Sequence, residues 1–333
     1  EEGLVSGEPL LSVRDLVVEF ATEQGVVRAV DRVSFEVRPN ETLGIVGESG
    51  CGKTVTGLAI MGLVPSPPGR IAGGSIRLLG RELVGLPESE LRSVRGRDIA
   101  MVFQEPMTAL NPVFTIGNQM TDVLRRYRGL SRRQARSAAI ELLAKVGIPA
   151  PERRIDEYPH QLSGGMRQRV VIAMALSCDP KLIVADEPTT ALDVTTQAQV
   201  LAQIVKLQQE FHMAMILVTH DLGVVAETCH RAMVMYCGRI AEKAEIGPLF
   251  AHPRHPYTVG LLQSIPRVGA HEKEDLAVIP GMVPDLLHLP RGCRFADRCP
   301  RRQADCDEAL PELDGGEASR SRVACYHPHE ART

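Results

Sequence analysis

The sequence predicts an α/β fold in which a buried sheet is interrupted by a helical insertion. Three observations carry this. Compact apolar runs of strand length recur along the chain, a glycine-rich turn joins one of them to a helical segment, and the stretch from about Thr115 to Met174 has helical periodicity.

The elements follow in order. Leu11 to Phe20 mixes Val and Leu with charged residues in partial alternation, and Val33 to Val37 repeats the pattern, so both are read as strands. Thr42 to Val46 is a short apolar run that stops at a glycine-rich turn. Thr54 to Leu63 is the expected helix after that turn, closed by the breaker segment Pro65-Ser66-Pro67-Pro68-Gly69. Asp98 to Phe103 reads as another buried strand. Ser131 to Val146 sets Ala, Leu and Ile at helical spacing with Arg and Glu between them. Leu182 to Ala185 and Met213 to Thr219 return as compact strands, each ending in acidic or imidazole residues. Beyond about Phe250 the periodicity fades while Pro, Arg and Cys accumulate. The expected division is therefore 1–250 and 251–333, with a helical subdomain at about 113–176.

The bulk properties remove several function classes. The chain has 333 residues, a net charge of -3, 4% aromatics and no Trp. It offers neither the basic surface nor the stacking platform of a nucleic-acid binder. No apolar run approaches the length that crosses a bilayer. The first residues lack the basic and apolar regions of a signal peptide, so a cytoplasmic protein is expected, with any membrane attachment supplied by a partner. Of eight cysteines, Cys293, Cys299, Cys306 and Cys325 lie together near the C-terminal end. In a reducing compartment such a group reads as metal ligands rather than disulfides.

Gly47-Glu48-Ser49-Gly50-Cys51-Gly52-Lys53-Thr54 fits the pattern of a phosphate-binding P-loop. Glycines let the backbone N–H groups face phosphate, and the following helix aims its positive end at the same place. Lys53 can reach the β- and γ-phosphates, and the Thr54 hydroxyl can bind Mg²⁺. Leu182 to Glu187 is an apolar strand that delivers two carboxylates at its C-terminal edge, where α/β folds bind ligands. Asp186 suits the Mg²⁺ shell and Glu187 suits polarisation of an attacking water. To this point a P-loop GTPase or a small-molecule kinase fits as well as an ATPase.

Leu162-Ser163-Gly164-Gly165-Met166 narrows the choice, because it resembles the signature motif of ABC ATPases. On its own, Ser followed by Gly is also an ordinary helix cap. Met166 departs from the Gln more common there. The resemblance extends to Gln104 as the Q-loop residue, a further member of the Mg²⁺ set with Thr54 and Asp186. It includes Thr190-Ala191-Leu192-Asp193 as the D-loop with Asp193, and His220 as the switch histidine. By resemblance Glu187, His220 and Gln104 are the catalytic set, and residues 162–166 contact ATP held by an opposing subunit. Phe20 is the candidate aromatic for stacking on adenine, or else a core residue. The fold this implies is an ABC-type P-loop ATPase with a RecA-like core sheet, N-terminal antiparallel strands, a helical signature subdomain and a small Cys-rich C-terminal extension.

Gln104 to Pro112, Tyr158 to Gln161, Pro253 to Thr258 and the tail from Gly292-Cys293 resemble the dipeptide/oligopeptide importer ATPases of bacteria, most of all the dipeptide-permease branch. That resemblance implies ATP and Mg²⁺ as cofactors. It also implies a second related ABC ATPase as heterodimer partner, two membrane permease subunits, an extracytoplasmic peptide-binding protein, and a peripheral place on the cytoplasmic face of the inner membrane. The segment from Gln104 to about Met120 is expected to face the permease, with Met107 and Leu110 in the contact. Related importers of nickel, glutathione or antimicrobial peptides would look much the same. A soluble ABC ATPase of repair or translation is the reading from another class. Against it, the chain has no long heptad insertion and only one P-loop. His160, His252 and His255 lack matching ligands nearby and read as loop histidines.

Cys293, Cys299, Cys306 and Cys325 are separated by five, six and eighteen residues, without the CxxC knuckles of zinc ribbons. Four thiolates suit tetrahedral zinc or a cubane cluster. Arg291, Arg294, Arg298, Arg301 and Arg302 could offset the cluster's negative charge or form a solvated basic face. Resemblance to the peptide importers favours a [4Fe–4S] cluster, with zinc or free thiols as the alternatives.

Overall fold

Five consecutive residues, Thr42–Val46, are all buried and form a strand, with Gly44 at its centre packed under Val225, Cys229 and Ala232. The structure is a computed structural model that describes residues 8–105, 109–190, 192–265, 278–314 and 321–330. The chain opens with β1 (Leu11–Thr22) and β2 (Gly25–Val37), a long pair that extends the two predicted N-terminal strands at both turn ends. β3 (Thr42–Val46) runs into the P-loop and then α1 (Lys53–Ile60). The predicted breaker holds: α1 ends well before Pro65. After it comes β4 (Gly69–Leu78), which the sequence reading did not find, and the short β5 (Arg81–Glu82). Together these make a four-stranded sheet of order β2-β1-β4-β5, with β1 and β4 antiparallel and Phe20 opposite Gly69.

Next are α2 (Glu88–Val94) and β6 (Ile99–Val102), followed by the helical stretch. α3 (Ile116–Arg128) is capped by the Thr115 hydroxyl, which accepts from the Asn118 amide. It ends at Gly129 in the left-handed region, with arginines in its last turn that suit the helix dipole. α4 (Arg132–Lys145) begins with a full capping box between Ser131 and Gln134. It buries Ala135, Ala139, Leu142 and Leu143, the spacing of one helical face. α5 (Pro151–Arg154) is a single turn, and α6 (Gly164–Leu176) buries Val170, Val171, Ile172, Ala173 and Leu176. β7 (Leu182–Asp186), wholly buried, pairs in parallel with β6, Ile99 opposite Leu182. α7 (Val194–Glu210) follows, capped by Asp193.

The chain returns through β8 (Ala214–Val218) and α8 (Leu222–Thr228) to β9 (Arg231–Tyr236) and β10 (Arg239–Glu245), an antiparallel hairpin turning at Cys237–Gly238. β9 lies parallel to β3, with Val46 opposite Val234. Two short helices, α9 (Ile246–Ala251) and α10 (Pro256–Gln263), precede the cysteine-bearing segment, and β11 (Ser321–Val323) adds antiparallel to β10.

The chain divides into two compact units. One comprises Glu1–Leu10, Val37–Glu41 and Gly85–Ile216, and holds the helical stretch with β6 and β7. The other comprises Leu11–Glu36, Thr42–Val84 and Leu217–Thr333, and holds the P-loop, the antiparallel sheet and the C-terminal region. No helix among the described residues is long and apolar enough to cross a membrane.

Candidate nucleotide and cysteine sites

The P-loop conformation is built by glycine. Gly52 sits at φ 100°, and a Cβ there would come within 2.4 Å of the Ala29 carbonyl oxygen, so a side chain fails on both backbone angle and space. Lys53 opens α1 and is only 5% exposed. Its ammonium donates to the carbonyl oxygens of Gly47 and Glu48 at 2.8 and 3.0 Å, which draws the cation across the loop. Cys51 lies 3.8 Å from the same ammonium, and burial pushes its thiol above the ordinary range. Thr54 follows Lys53 in α1, while Ser49 and Gly50 are exposed at the loop's tip. At the end of β8 the Thr219 amide donates to the Ile45 carbonyl oxygen. His220 comes next and is exposed, ahead of the Asp221 carboxylate that caps α8.

In the other unit, β7 carries Asp186 to its end as a buried carboxylate, 4% exposed. Glu187 then takes φ 43°, a left-handed angle that a residue with a side chain adopts only under constraint. Its Oε2 accepts from Gln104 Nε2 at 3.2 Å and from Thr190 Oγ1 at 2.9 Å. The fold thus brings together Gln104, Glu187 and Thr190, residues predicted from three separate motifs. The Asp193 carboxylate accepts from the Thr196 hydroxyl at 2.7 Å and from the Thr196 amide, which together hold this carboxyl below its usual range, and the Gln197 side chain donates to the carbonyls of Thr189 and Leu192. Ala191 lies outside the described residues. In the predicted signature, Leu162 is buried and Ser163 caps α6, its hydroxyl accepting from the Met166 amide at 3.3 Å. The helix-cap reading of Ser163 is therefore realised, and the exposed Gly164 leads the helix.

Phe20 is half-buried at the end of β1. In the segment expected to face a membrane partner, Met107 lies outside the described residues and Leu110 is buried, 2% exposed. Leu110 is thus core rather than surface. Among the described residues of this segment, the exposed apolar side chains are Val113 (69%) and Phe114 (50%).

Burial raises the Cys325 thiol to about 11, and charge on Cys293, Cys299 and Cys306 acts in the same direction. The Cys293 amide donates to the Cys306 carbonyl oxygen at 2.7 Å. A Cβ on Gly292 would lie 2.2 Å from that same oxygen, so this close approach requires glycine. Backbone amides also point at the sulfurs: Phe295 and Ala296 toward Cys293, Arg301 toward Cys299 at 3.4 Å, and His327 toward Cys325. Asp305, Cys306 and His327 form the group of ligand atoms within 4.8 Å of one another among the described residues.

His255, read from sequence as a loop residue, is fully buried. Burial lowers its pKa to about 4, and its Nδ1 accepts from the Tyr257 amide. Glu242, also wholly buried, accepts from the amides of Arg254 and His255. β10 carries Arg239, Glu242, Lys243 and Glu245 among its seven residues, so it has no apolar run to mark it in the sequence.

Residues 30–190 match the ABC transporter family, and residues 241–306 match the oligopeptide/dipeptide transporter C-terminal region. Oligopeptide transport ATP-binding protein AppD of Bacillus subtilis is 50% identical, over 95% of this chain and 96% of that one. A Brucella melitensis protein named for peptide import and ATP binding is 52% identical, over 93% and 94%. Among solved structures, a dimeric ATP-binding cassette in a post-hydrolysis state with ADP and Pi superposes at TM-score 0.64 and 28% identity, covering 71% of this chain and 98% of that one. The cbiO1 protein of Clostridium perfringens, part of an ABC transporter complex, does so at 0.62 and 25%, covering 74% and 92%.

Proposed function

Because the chain belongs to the ATP-binding proteins of ABC transporters, we propose that it energises the import of peptides. It is an ATP hydrolase coupled to transport. What carries the peptide reading is the second family match, since the oligopeptide/dipeptide C-terminal region lies outside the ATPase core common to all such transporters. In this reading residues 1–250 are the ATPase domain, with its helical subdomain at about 113–176, and 251–333 are the extension. Residues 47–54 hold the phosphates of ATP, Phe20 stacks on adenine, and Thr54, Gln104 and Asp186 surround Mg²⁺. Glu187 takes a proton from the attacking water, and His220 positions the γ-phosphate. The signature residues 162–166 and Asp193 address ATP held by a second, related ATPase subunit. Two permeases anchor the pair on the cytoplasmic face of the inner membrane, and an extracytoplasmic binding protein delivers peptide.

Val113 and Phe114, exposed apolar side chains on the loop that follows Gln104, are the surface offered to a permease. In the reconstituted complex, Val113→Asp with Phe114→Asp should abolish peptide uptake while the isolated chain still binds MgATP normally. Unimpaired uptake by that double variant would remove the docking assignment. Uptake of nickel or glutathione in place of peptide would overturn the substrate.

The four C-terminal cysteines fit a thiolate-ligated centre. Burial raises the thiols of Cys293, Cys299 and Cys325, and amide N–H groups directed at these three sulfurs would stabilise thiolate charge. Tetrahedral zinc with Zn–S bonds near 2.3 Å would draw four sulfurs to about 3.8 Å apart. No three of these sulfurs among the described residues meet within even 4.8 Å, which is too open for tetrahedral zinc and leaves a [4Fe–4S] cluster held by Cys293, Cys299, Cys306 and Cys325, or free thiols, as the readings to test. The cluster's contribution would be structural, because ATP hydrolysis has no redox step. Anaerobic purification should yield brown protein containing iron and acid-labile sulfide, and Cys299→Ser should bleach it. Colourless protein with stoichiometric zinc would exclude the cluster.

A further inference from the structure

The phosphate-binding loop is held from behind by the C-terminal region. Glu48, the second residue of the loop, is fixed at three points. Its amide donates to Tyr257 Oη at 2.8 Å, its carbonyl accepts from Lys53, and its carboxylate accepts both terminal nitrogens of Arg298, at 2.6 and 3.0 Å. The last is a bidentate, charge-assisted pair. It joins residues 250 positions apart.

Arg298 has one place to be. It is 6% exposed, and its remaining hydrogen bonds go to the carbonyl oxygens of Pro280 (3.0 Å) and Ile279 (3.4 Å) and to Tyr236 Oη (3.3 Å). Its guanidinium lies over the rings of Tyr236 and Phe295, 5.8 and 6.0 Å from their centroids. Tyr257 is equally fixed, fully buried with its ring 4.7 Å from that of Tyr236. A second strut runs beside the first. Arg294 pairs with Asp31 and donates to the Cys237 carbonyl, and the next residue, Gly238, donates its amide to the Cys51 carbonyl inside the P-loop at 3.0 Å. Both arginines directly neighbour a cysteine of the C-terminal group, Arg294 after Cys293 and Arg298 before Cys299.

We propose that Arg298 is a positioning residue for nucleotide: by fixing Glu48 it sets the conformation of the phosphate-binding loop, so the cysteine-bearing region governs nucleotide affinity. The inference rests on residues 47–54 being the nucleotide loop, and does not require the cysteines to hold metal. A loop whose amides must converge on phosphate binds well only when preorganised, and the pair of buried Arg298 with half-buried Glu48 supplies that order. Removing Glu48 leaves the Arg298 guanidinium desolvated without its partner, and removing Arg298 frees the Glu48 carboxylate to turn to solvent and pull the loop with it.

The test is calorimetric titration of the full-length chain with MgADP, alongside thermal melting without nucleotide. Arg298→Gln should weaken MgADP binding roughly tenfold, Glu48→Gln should do the same, and the double variant should bind no worse than either alone. Arg298→Lys should recover part of the loss. Arg302→Gln is the control: Arg302 pairs with Asp297 and Asp307 in the same segment but does not contact the P-loop, so it should leave affinity unchanged even if it lowers the melting temperature. Wild-type affinity in Arg298→Gln, additive losses in the double variant, or an equal loss in Arg302→Gln would each overturn the proposal. Lys53→Ala separates it from its premise, because wild-type affinity in that variant would mean the loop itself has been misassigned.

Discussion

Glu187→Gln in the assembled transporter will leave MgATP binding near the wild-type level and lower hydrolysis at its own site by roughly 10²–10⁴-fold, the usual loss of a general base. An amide matches the carboxylate in size, so the left-handed turn at residue 187 and the packing at the end of β7 should survive. What is lost is the ability of the carboxylate to take a proton. Its Oε2 accepts from Gln104 and Thr190, an arrangement that fixes the direction in which the carboxylate presents its second oxygen. Phosphate release should be measured in complexes carrying the substitution in one subunit and in both, since a partner site can hydrolyse independently. Wild-type turnover with both substituted would end the assignment of Glu187 as base.

Lys53→Ala acts one step earlier, on binding. The ammonium is buried and draws together the carbonyls of Gly47 and Glu48. Alanine removes the cation proposed to meet the β- and γ-phosphates and also leaves those carbonyls without this donor. A charged hydrogen bond of about 1.5–3 kcal/mol corresponds to roughly 10- to 150-fold in affinity, and the loss should appear for both MgATP and MgADP. Titration of the isolated chain with each nucleotide is the measurement. Equal affinity in the variant and wild type would show that Lys53 does not face phosphate.

These two residues were legible in the sequence because their surroundings are local. A strand running into glycines and then into a helix is one continuous piece of chain, and Thr42–Val46 was read to the residue because all five positions are buried. α4 was legible in the same way, since Ala, Leu and Ile at helical spacing from Ser131 to Val146 lie within one segment. Glu187 was legible as the polar end of an apolar strand. Two of the strands that escaped have patterns that other parts of the chain complete. β4 carries three glycines and pairs with β1, some sixty residues earlier. β10 is more than half charged, and its buried Glu242 is satisfied by amides that lie beyond α9. β9, apolar from Ala232 to Tyr236, escaped as well.

By itself, then, the sequence determined the chemistry available: a glycine-rich loop running into Lys53 and Thr54, a carboxylate at a strand end, a helix capped by Ser163 and four thiols near the C-terminus. Periodicity, caps and glycine turns act over a few residues, so their physics is complete within the segment that shows it. The tertiary structure alone decided which of these groups touch. It placed Gln104 and Thr190 on Glu187, buried Leu110 where an exposed contact was expected, and seated Arg298 against Glu48. Such pairs depend on desolvation and on closing loops of many residues, and neither leaves a mark in local spacing.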